Sequence, residues 1–276
     1  MSYDPISQDP PHDPDFPAEM AGFSMNHAGA LLNGVIYVPV GEGLHPLALL
    51  LHGLPGHERN FDLAHILRRA GWAVCVFHYR GAWGSEGAYR FAHVLEDVQA
   101  VVAYFRQRKQ ATPHRIDPER VILIGHSLGG WAGLQVATTG AVDAVASLSG
   151  VNIGIWAQQL ADDPELARAM LQSLIADSLG PLQAVTPDDI IAEVQTHGET
   201  WNLVQHAPAL SQQRVLLVGA KRDTIVPVFD HHVPLVNALI AHDADALTTH
   251  MLATDHGYSD SRIALARVVL DWLASI

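Results

Sequence analysis

The stretch Val121-Ile122-Leu123-Ile124-Gly125-His126-Ser127-Leu128-Gly129-Gly130 limits the possible folds more than any other part of the chain. Four apolar, mostly β-branched residues run into Gly-His-Ser-Leu-Gly, and helix-like spacing follows at Leu128, Trp131, Ala132, Leu134 and Val136. A buried strand, a glycine-flanked serine and a helix, in that order, predict a nucleophile elbow. Such a turn is tight enough to strain the serine backbone, and small residues at Gly125 and Gly129 let strand and helix approach. Ser127 Oγ would then stand clear at the top of a sheet, with the helix N-terminus aimed at it. The plainer reading is a glycine-rich turn whose serine only caps a helix.

A buried strand of this kind needs neighbours, and the chain supplies them in alternation with helices. A turn at Asn33-Gly34 leads into Val35–Val38. After a second turn at Gly41-Glu42-Gly43, Pro46–Leu51 is a continuous apolar run of the kind covered on both faces of a parallel sheet. A helix pattern over about 61–70 ends at Gly71, and strand 73–78 follows. A second helix spans about 91–107, with Val94, Leu95, Val98, Val101, Val102 and Phe105 on one face. Beyond the elbow come strands at 144–148, 215–218 and 247–252, and helices near 235–241 and 262–273. This βαβ succession predicts an α/β fold: a mostly parallel, twisted sheet covered by helices on both faces.

Two stretches stand outside the alternation. Residues 1–22, rich in Pro and Asp, lack apolar periodicity and read as a mobile leader before a single domain at 23–276. Residues 151–211 carry no strand and two signalled helices. Asp163-Pro164-Glu165 starts the first and Gly180-Pro181 ends it; Thr186-Pro187-Asp188-Asp189 starts the second and Gly198 stops it. Leu166, Met170, Leu171, Leu174 and Ile175 form an apolar stripe. This insertion is read as a helical cap over the sheet, against the alternative of helices that merely pack elsewhere.

The balance of 16 basic against 29 acidic residues, a net charge of −13, disfavours nucleic acid and anionic membrane surfaces as partners. No apolar run approaches a membrane span, and no basic patch with an apolar run marks a secretory signal. The one cysteine, Cys75, sits in an apolar strand and reads as a small buried hydrophobe. A cytoplasmic protein is the simplest expectation.

In an open parallel sheet, chemistry gathers in the loops beyond the carboxyl ends of the strands. After the first long apolar strand comes His52-Gly53-Leu54-Pro55-Gly56, where the Leu54 N–H, with the Leu128 N–H of the elbow, would form an oxyanion hole. After strand 215–218 comes Asp223, placed to fix a histidine tautomer and stabilise its imidazolium, though an Asp here also suits a turn cap. Asp230, Asp243 and Asp245 lie too far from a strand end. Asp255 directly precedes its histidine and could hardly turn back onto it. After the last strand comes His256, completing the order Ser127, Asp223, His256. His126 should point away from its neighbour Ser127. His231 and His232 lack further ligands at metal spacing and read as solvated histidines.

These motifs, with Tyr79-Arg80-Gly81-Ala82-Trp83-Gly84-Ser85-Glu86-Gly87 and Asp255-His256-Gly257-Tyr258-Ser259, resemble the α/β-hydrolase superfamily over about 23–276. More narrowly, they are similar to its prolyl-oligopeptidase-like and esterase-like single-domain members. The resemblance implies a catalytic triad on Ser127, Asp223 and His256, oxyanion donors on Leu54 and Leu128, and no metal or organic cofactor. Leu54 stands where peptidase members often have a second glycine, which narrows the mouth against bulky peptides. The 80–87 loop lines the site or is structural; Arg80 and Glu86 suit either role. The expected activity is hydrolysis of a small-molecule carboxylic ester through an acyl-enzyme. An amidase or aminopeptidase on the same triad is the alternative, with Glu165, Glu193 or Glu199 as candidates to hold a peptide amine. A catalytically silent, ligand-binding fold is a more distant one.

Overall fold

The computed structural model describes residues 3–276, so the first two residues of the expected leader lie outside the described residues. The chain runs β1 (Glu19–His27), β2 (Ala30–Val38), β3 (His45–Leu51), α1 (Phe61–Arg69), β4 (Ala73–Phe77), α2 (Phe91–Phe105) and the short α3 (Arg108–Ala111). It continues with β5 (Ile116–His126), α4 (Leu128–Ala137), β6 (Ala144–Leu148), α5 (Ile153–Asp162), α6 (Pro164–Ala176), α7 (Pro187–His197) and α8 (Ala207–Leu210). It closes with β7 (Val215–Ala220), α9 (Val228–Ala241), β8 (Leu247–Leu252) and α10 (Arg262–Leu273).

Period-two side-chain alternation explains why β3 is apolar throughout. Leu47, Leu49 and Leu51 enter one core, and Ala48 and Leu50 enter the other. The first core is shared with α2, α4 and α9, the second with α1 and α10, so helices cover both faces of one eight-stranded sheet. Its order is β1-β2-β4-β3-β5-β6-β7-β8. The β1/β2 and β2/β4 pairs are antiparallel, and every later pair is parallel. This is the α/β-hydrolase fold expected from the sequence. The carboxyl ends of β3, β5, β7 and β8 open on one edge.

The differences from expectation have local causes. β1 begins at Glu19, inside the stretch read as a leader. Its partner β2 supplies the register, Glu19 opposite Val38 through His27 opposite Ala30, which an edge strand of mixed polarity does not advertise by itself. Upstream, Arg69 Nε donates to the Pro5 carbonyl at 2.6 Å, Tyr3 Oη donates to the Arg69 carbonyl, and Ile6 packs on the second core. α9 starts seven residues before the expected 235, because Pro234 inside it masks the helical pattern. The 151–211 region carries three helices of ten residues or more instead of two. The missed one, α5, is capped by Asn152, whose side chain accepts the Gly154 N–H at 3.2 Å.

The inserted helices are fastened to the sheet layer. Trp131 on α4 donates its indole N–H to the Trp201 carbonyl at 3.1 Å, and the two rings meet edge-on with centroids 5.1 Å apart. Phe91 adds contacts to Trp131, Trp156 and Trp201. Aromatic pairs of this kind each contribute about 0.5–1.5 kcal/mol beyond area burial. On α6 the expected apolar stripe divides. Leu171 and Ile175 are buried, whereas Leu166 and Met170 are 58% and 64% exposed. Among the described residues no helix is long and apolar enough to cross a membrane.

Candidate active site

Ser127 sits between β5 and α4 with φ 55° and ψ −117°, a left-sided backbone that a β-carbon tolerates poorly. The surrounding packing enforces it. A β-carbon on Gly125 would stand 2.0 Å from the Gly129 carbonyl oxygen, and one on Gly129 2.1 Å from the Leu51 carbonyl oxygen. Strand, helix and neighbouring strand therefore meet through backbone alone. The Ser127 N–H donates to the Leu148 carbonyl at 2.9 Å, which ties the turn to β6.

Asp223 and His256 come from the ends of β7 and β8, and two backbone bonds hold those ends in register. Lys221 N–H donates to Leu252 O at 2.8 Å, and Arg222 N–H donates to Thr254 O at 2.8 Å. His256 Nδ1 lies 2.6 Å from Asp223 Oδ2. The other Asp223 oxygen accepts the N–H groups of Ile225 and Val226 at 2.9 and 2.8 Å, so the carboxylate is fixed on both sides. A carboxylate acceptor puts the proton on Nδ1 and leaves Nε2 as the basic nitrogen. Beyond His256, the buried Tyr258 hydroxyl donates to Val218 O at 2.7 Å, and burial pushes that phenol well above its ordinary value.

Ser127 and His256 line one cavity of about 300 Å³, together with Gly53, Leu54, Thr224 and Ile225. No hydrogen bond joins Ser127 Oγ to His256 among the described residues. The 52–56 loop passes directly beside the serine: a β-carbon on Gly53 would lie 2.9 Å from Ser127 Cβ and 3.4 Å from its Oγ. Neither the Leu54 nor the Leu128 N–H donates to a backbone carbonyl among the described residues. Leu128 is free because it opens α4, where the first N–H groups have no partner one turn back.

Several residues that hold this loop escaped the sequence reading. His52 Nδ1 is 2.8 Å from the Gly53 carbonyl, Tyr79 Oη donates to His52 O at 2.9 Å, and Trp83 Nε1 donates to Pro55 O at 2.7 Å. The aromatic residues within the 79–87 motif were the available signal. Arg80 and Glu86 do not line the Ser127 cavity and are tied into the fold instead. Arg80 is buried and pairs Nε with Asp97 at 2.6 Å, and Glu86 accepts the Leu31 N–H at 2.9 Å.

Of the weaker candidates, Asp255 turns its carboxylate to the Ser259 N–H at 2.8 Å, away from His256. His126 lines the same cavity as Ser127, and its Nε2 donates to the His256 carbonyl at 2.9 Å. Burial holds its imidazole down at about 3. His231 is a correction. It is buried, not solvated, because its Nδ1 accepts the Asn152 N–H at 3.0 Å, and burial lowers its pKa to about 4. Glu193 is also accounted for: both its oxygens accept N–H groups at the start of α2, from Phe91 and Ala92. Glu165 and Glu199 do not line the Ser127 cavity. Cys75 is fully buried in β4, and burial pushes its thiol up.

A model of the alpha/beta hydrolase family matches residues 48–271. The quorum-quenching protein AidA of Acinetobacter baumannii is 30% identical over 244 residues, which cover 86% of this chain and 65% of that protein. The chain spans less than two thirds of the length of the two curated relatives it matches, 65% and 58%. Est1E of Butyrivibrio proteoclasticus, solved with bound ferulic acid, superposes with a TM-score of 0.66 at 17% identity, covering 92% of this chain and 98% of that one. The acylaminoacyl peptidase of Pyrococcus horikoshii gives a TM-score of 0.66 at 14% identity, covering 93% of this chain and 41% of that one. At such identities the likeness of solved structures shows the fold and does not separate esters from peptides.

Proposed function

The chain belongs to the alpha/beta hydrolase family, and on that premise we propose that it is a serine hydrolase that cleaves a small carboxylic ester through an acyl-enzyme. His256 Nε2 takes the proton of Ser127 Oγ as the oxygen attacks the ester carbonyl. Asp223 holds the tautomer that makes this possible and stabilises the imidazolium that forms. The Leu54 and Leu128 N–H groups receive the oxyanion; a donor in such a position is worth about 2.7–4 kcal/mol of transition-state stabilisation. His256 then protonates the leaving alcohol, and the same base activates the water that releases the acid. The helices at 151–211 serve as a cap beside the site.

The observation that carries the reading is the strained Ser127 sharing one cavity with an imidazole whose Nδ1 is locked 2.6 Å from a buried carboxylate. Of the acidic residues considered for a peptide amine in an amide substrate, Glu193 is bound to the start of α2, and Glu165 and Glu199 do not line the Ser127 cavity. The test is hydrolysis of 4-nitrophenyl acetate by the wild type and by Ser127→Ala. The reading expects the variant to lose roughly three to six orders of magnitude in kcat. A variant that retains the wild-type rate refutes it.

A further inference from the structure

A second cavity, of about 500 Å³, lies between α5, α6 and the turn from β7 into α9. Its volume falls within the roughly 300–1,000 Å³ typical of small-molecule sites. Its walls are mainly apolar, from Trp156, Leu166, Met170, Leu171 and Ile225. Thr224 and Ile225 line this cavity and the Ser127 cavity alike, so the two flank a ridge that directly follows Asp223. A chain attached to an ester carbonyl at Ser127 has only that ridge to cross. Leu166, Met170 and Ile225 leave much apolar surface exposed along the way, and each methylene that covers such surface favours binding roughly fourfold.

Two polar features restrict what that chain carries. The His231 ring is 3% exposed, and Asn152 takes its Nδ1. Its Nε2–H therefore remains as an unpartnered donor, among the described residues, in the wall of the cavity. An oxygen on a bound chain can accept that N–H. The remaining charged lining groups are Asp162, Asp163 and Asp230, and no Lys or Arg lines this cavity, the nearest along the ridge being Arg222 in the Ser127 cavity. Asp163 caps α6 through the Leu166 N–H, and Asp162 and Asp230 are exposed. Their field opposes an anion and favours a cation.

We propose that this cavity is the chain-binding subsite of the Ser127 site: it accepts an apolar chain, donates one hydrogen bond to an oxygen on it through His231, and rejects a chain ending in a carboxylate. The proposal rests on the serine-hydrolase reading, and its test has one arm that needs turnover and one that does not.

The kinetic arm compares 4-nitrophenyl acetate, octanoate, and octanoates ending in an ammonium or a carboxylate. The octanoate is expected to exceed the acetate at least tenfold in kcat/KM. The ammonium-ended chain keeps that advantage, and the carboxylate-ended chain loses at least tenfold at low salt. Asp162→Asn combined with Asp230→Asn narrows the gap between the two charged chains. Met170→Glu, at an exposed position on α6, lowers the octanoate-to-acetate ratio. In the binding arm, 2-octanone is titrated into the Ser127→Ala protein with Trp156 fluorescence as readout and Trp156→Phe as the blank; His231→Phe is expected to weaken binding several-fold. Equal rates for acetate and octanoate, or equal rates for the two charged chains, overturn the proposal. If no ester is hydrolysed, the serine-hydrolase reading has failed, and the titration alone decides: a saturable Trp156 change supports the subsite and its absence overturns it.

Discussion

Four buried imidazoles are expected to make this protein lose stability in mild acid. His52, His78, His126 and His231 are all under a tenth exposed. Burial lowers their pKa values to about 3, 4, 3 and 4 respectively. In the unfolded chain each returns to its ordinary value near ~6.5. Between that value and the folded ones the unfolded state binds more protons, so stability falls as pH falls, and the loss levels off below about pH 3–4. At about pH 5 an unfolded imidazole gains about 2 kcal/mol from protonation that its buried counterpart scarcely gains. Four of them lose about 8 kcal/mol, on the scale of the roughly 5–15 kcal/mol that holds a domain together. Urea unfolding followed by circular dichroism at about pH 7, 6 and 5 measures this. His78→Phe removes one titrating ring, 5.3 Å from that of His52, and should shrink the loss between pH 7 and 5 by about 2 kcal/mol. A wild type that loses less than about 2 kcal/mol in all, or a variant with an unchanged loss, refutes the reasoning.

Three further outcomes follow from named contacts. Gly129→Ala sets a β-carbon 2.1 Å from the Leu51 carbonyl oxygen, where only backbone could yield; we expect a loss of more than about 3 kcal/mol in urea unfolding, above the usual range of overpacked sites. Asp223→Asn leaves the shape but removes the acceptor that fixes the His256 tautomer, and kcat should fall about 10⁴-fold with little change in KM. Tyr258→Phe removes one of two hydrogen bonds that the Val218 carbonyl accepts, the other coming from the Ser149 N–H at 2.9 Å, at about 0.5–1.5 kcal/mol, read by thermal and urea unfolding.

The sheet was legible because burial on both faces leaves apolar runs that turn residues separate cleanly. β6, β8 and α10 fall where the sequence put them. The proposed triad was legible for a related reason: the side chains that meet at one sheet edge each follow a strand, so chain order and strand ends stand in for distance. Hidden features depend on partners far away in sequence. β1 mixes polar and apolar residues without a clean apolar run and is defined by β2. α9 contains Pro234, which breaks its pattern. His231 resembles any surface histidine until Asn152, 79 positions away, engages its ring. Tyr79 and Trp83 hold the 52–56 loop through carbonyl groups, which no side-chain pattern reveals.

The central claim is that Ser127 is a nucleophile activated by His256. It is tested most directly by treating the intact protein with a fluorophosphonate and locating the adduct by peptide mass spectrometry. The account predicts one adduct, on Ser127, formed at least about 100-fold more slowly in His256→Gln, in line with the rate that general-base catalysis supplies. An adduct on another residue, or a labelling rate indifferent to His256, would contradict it.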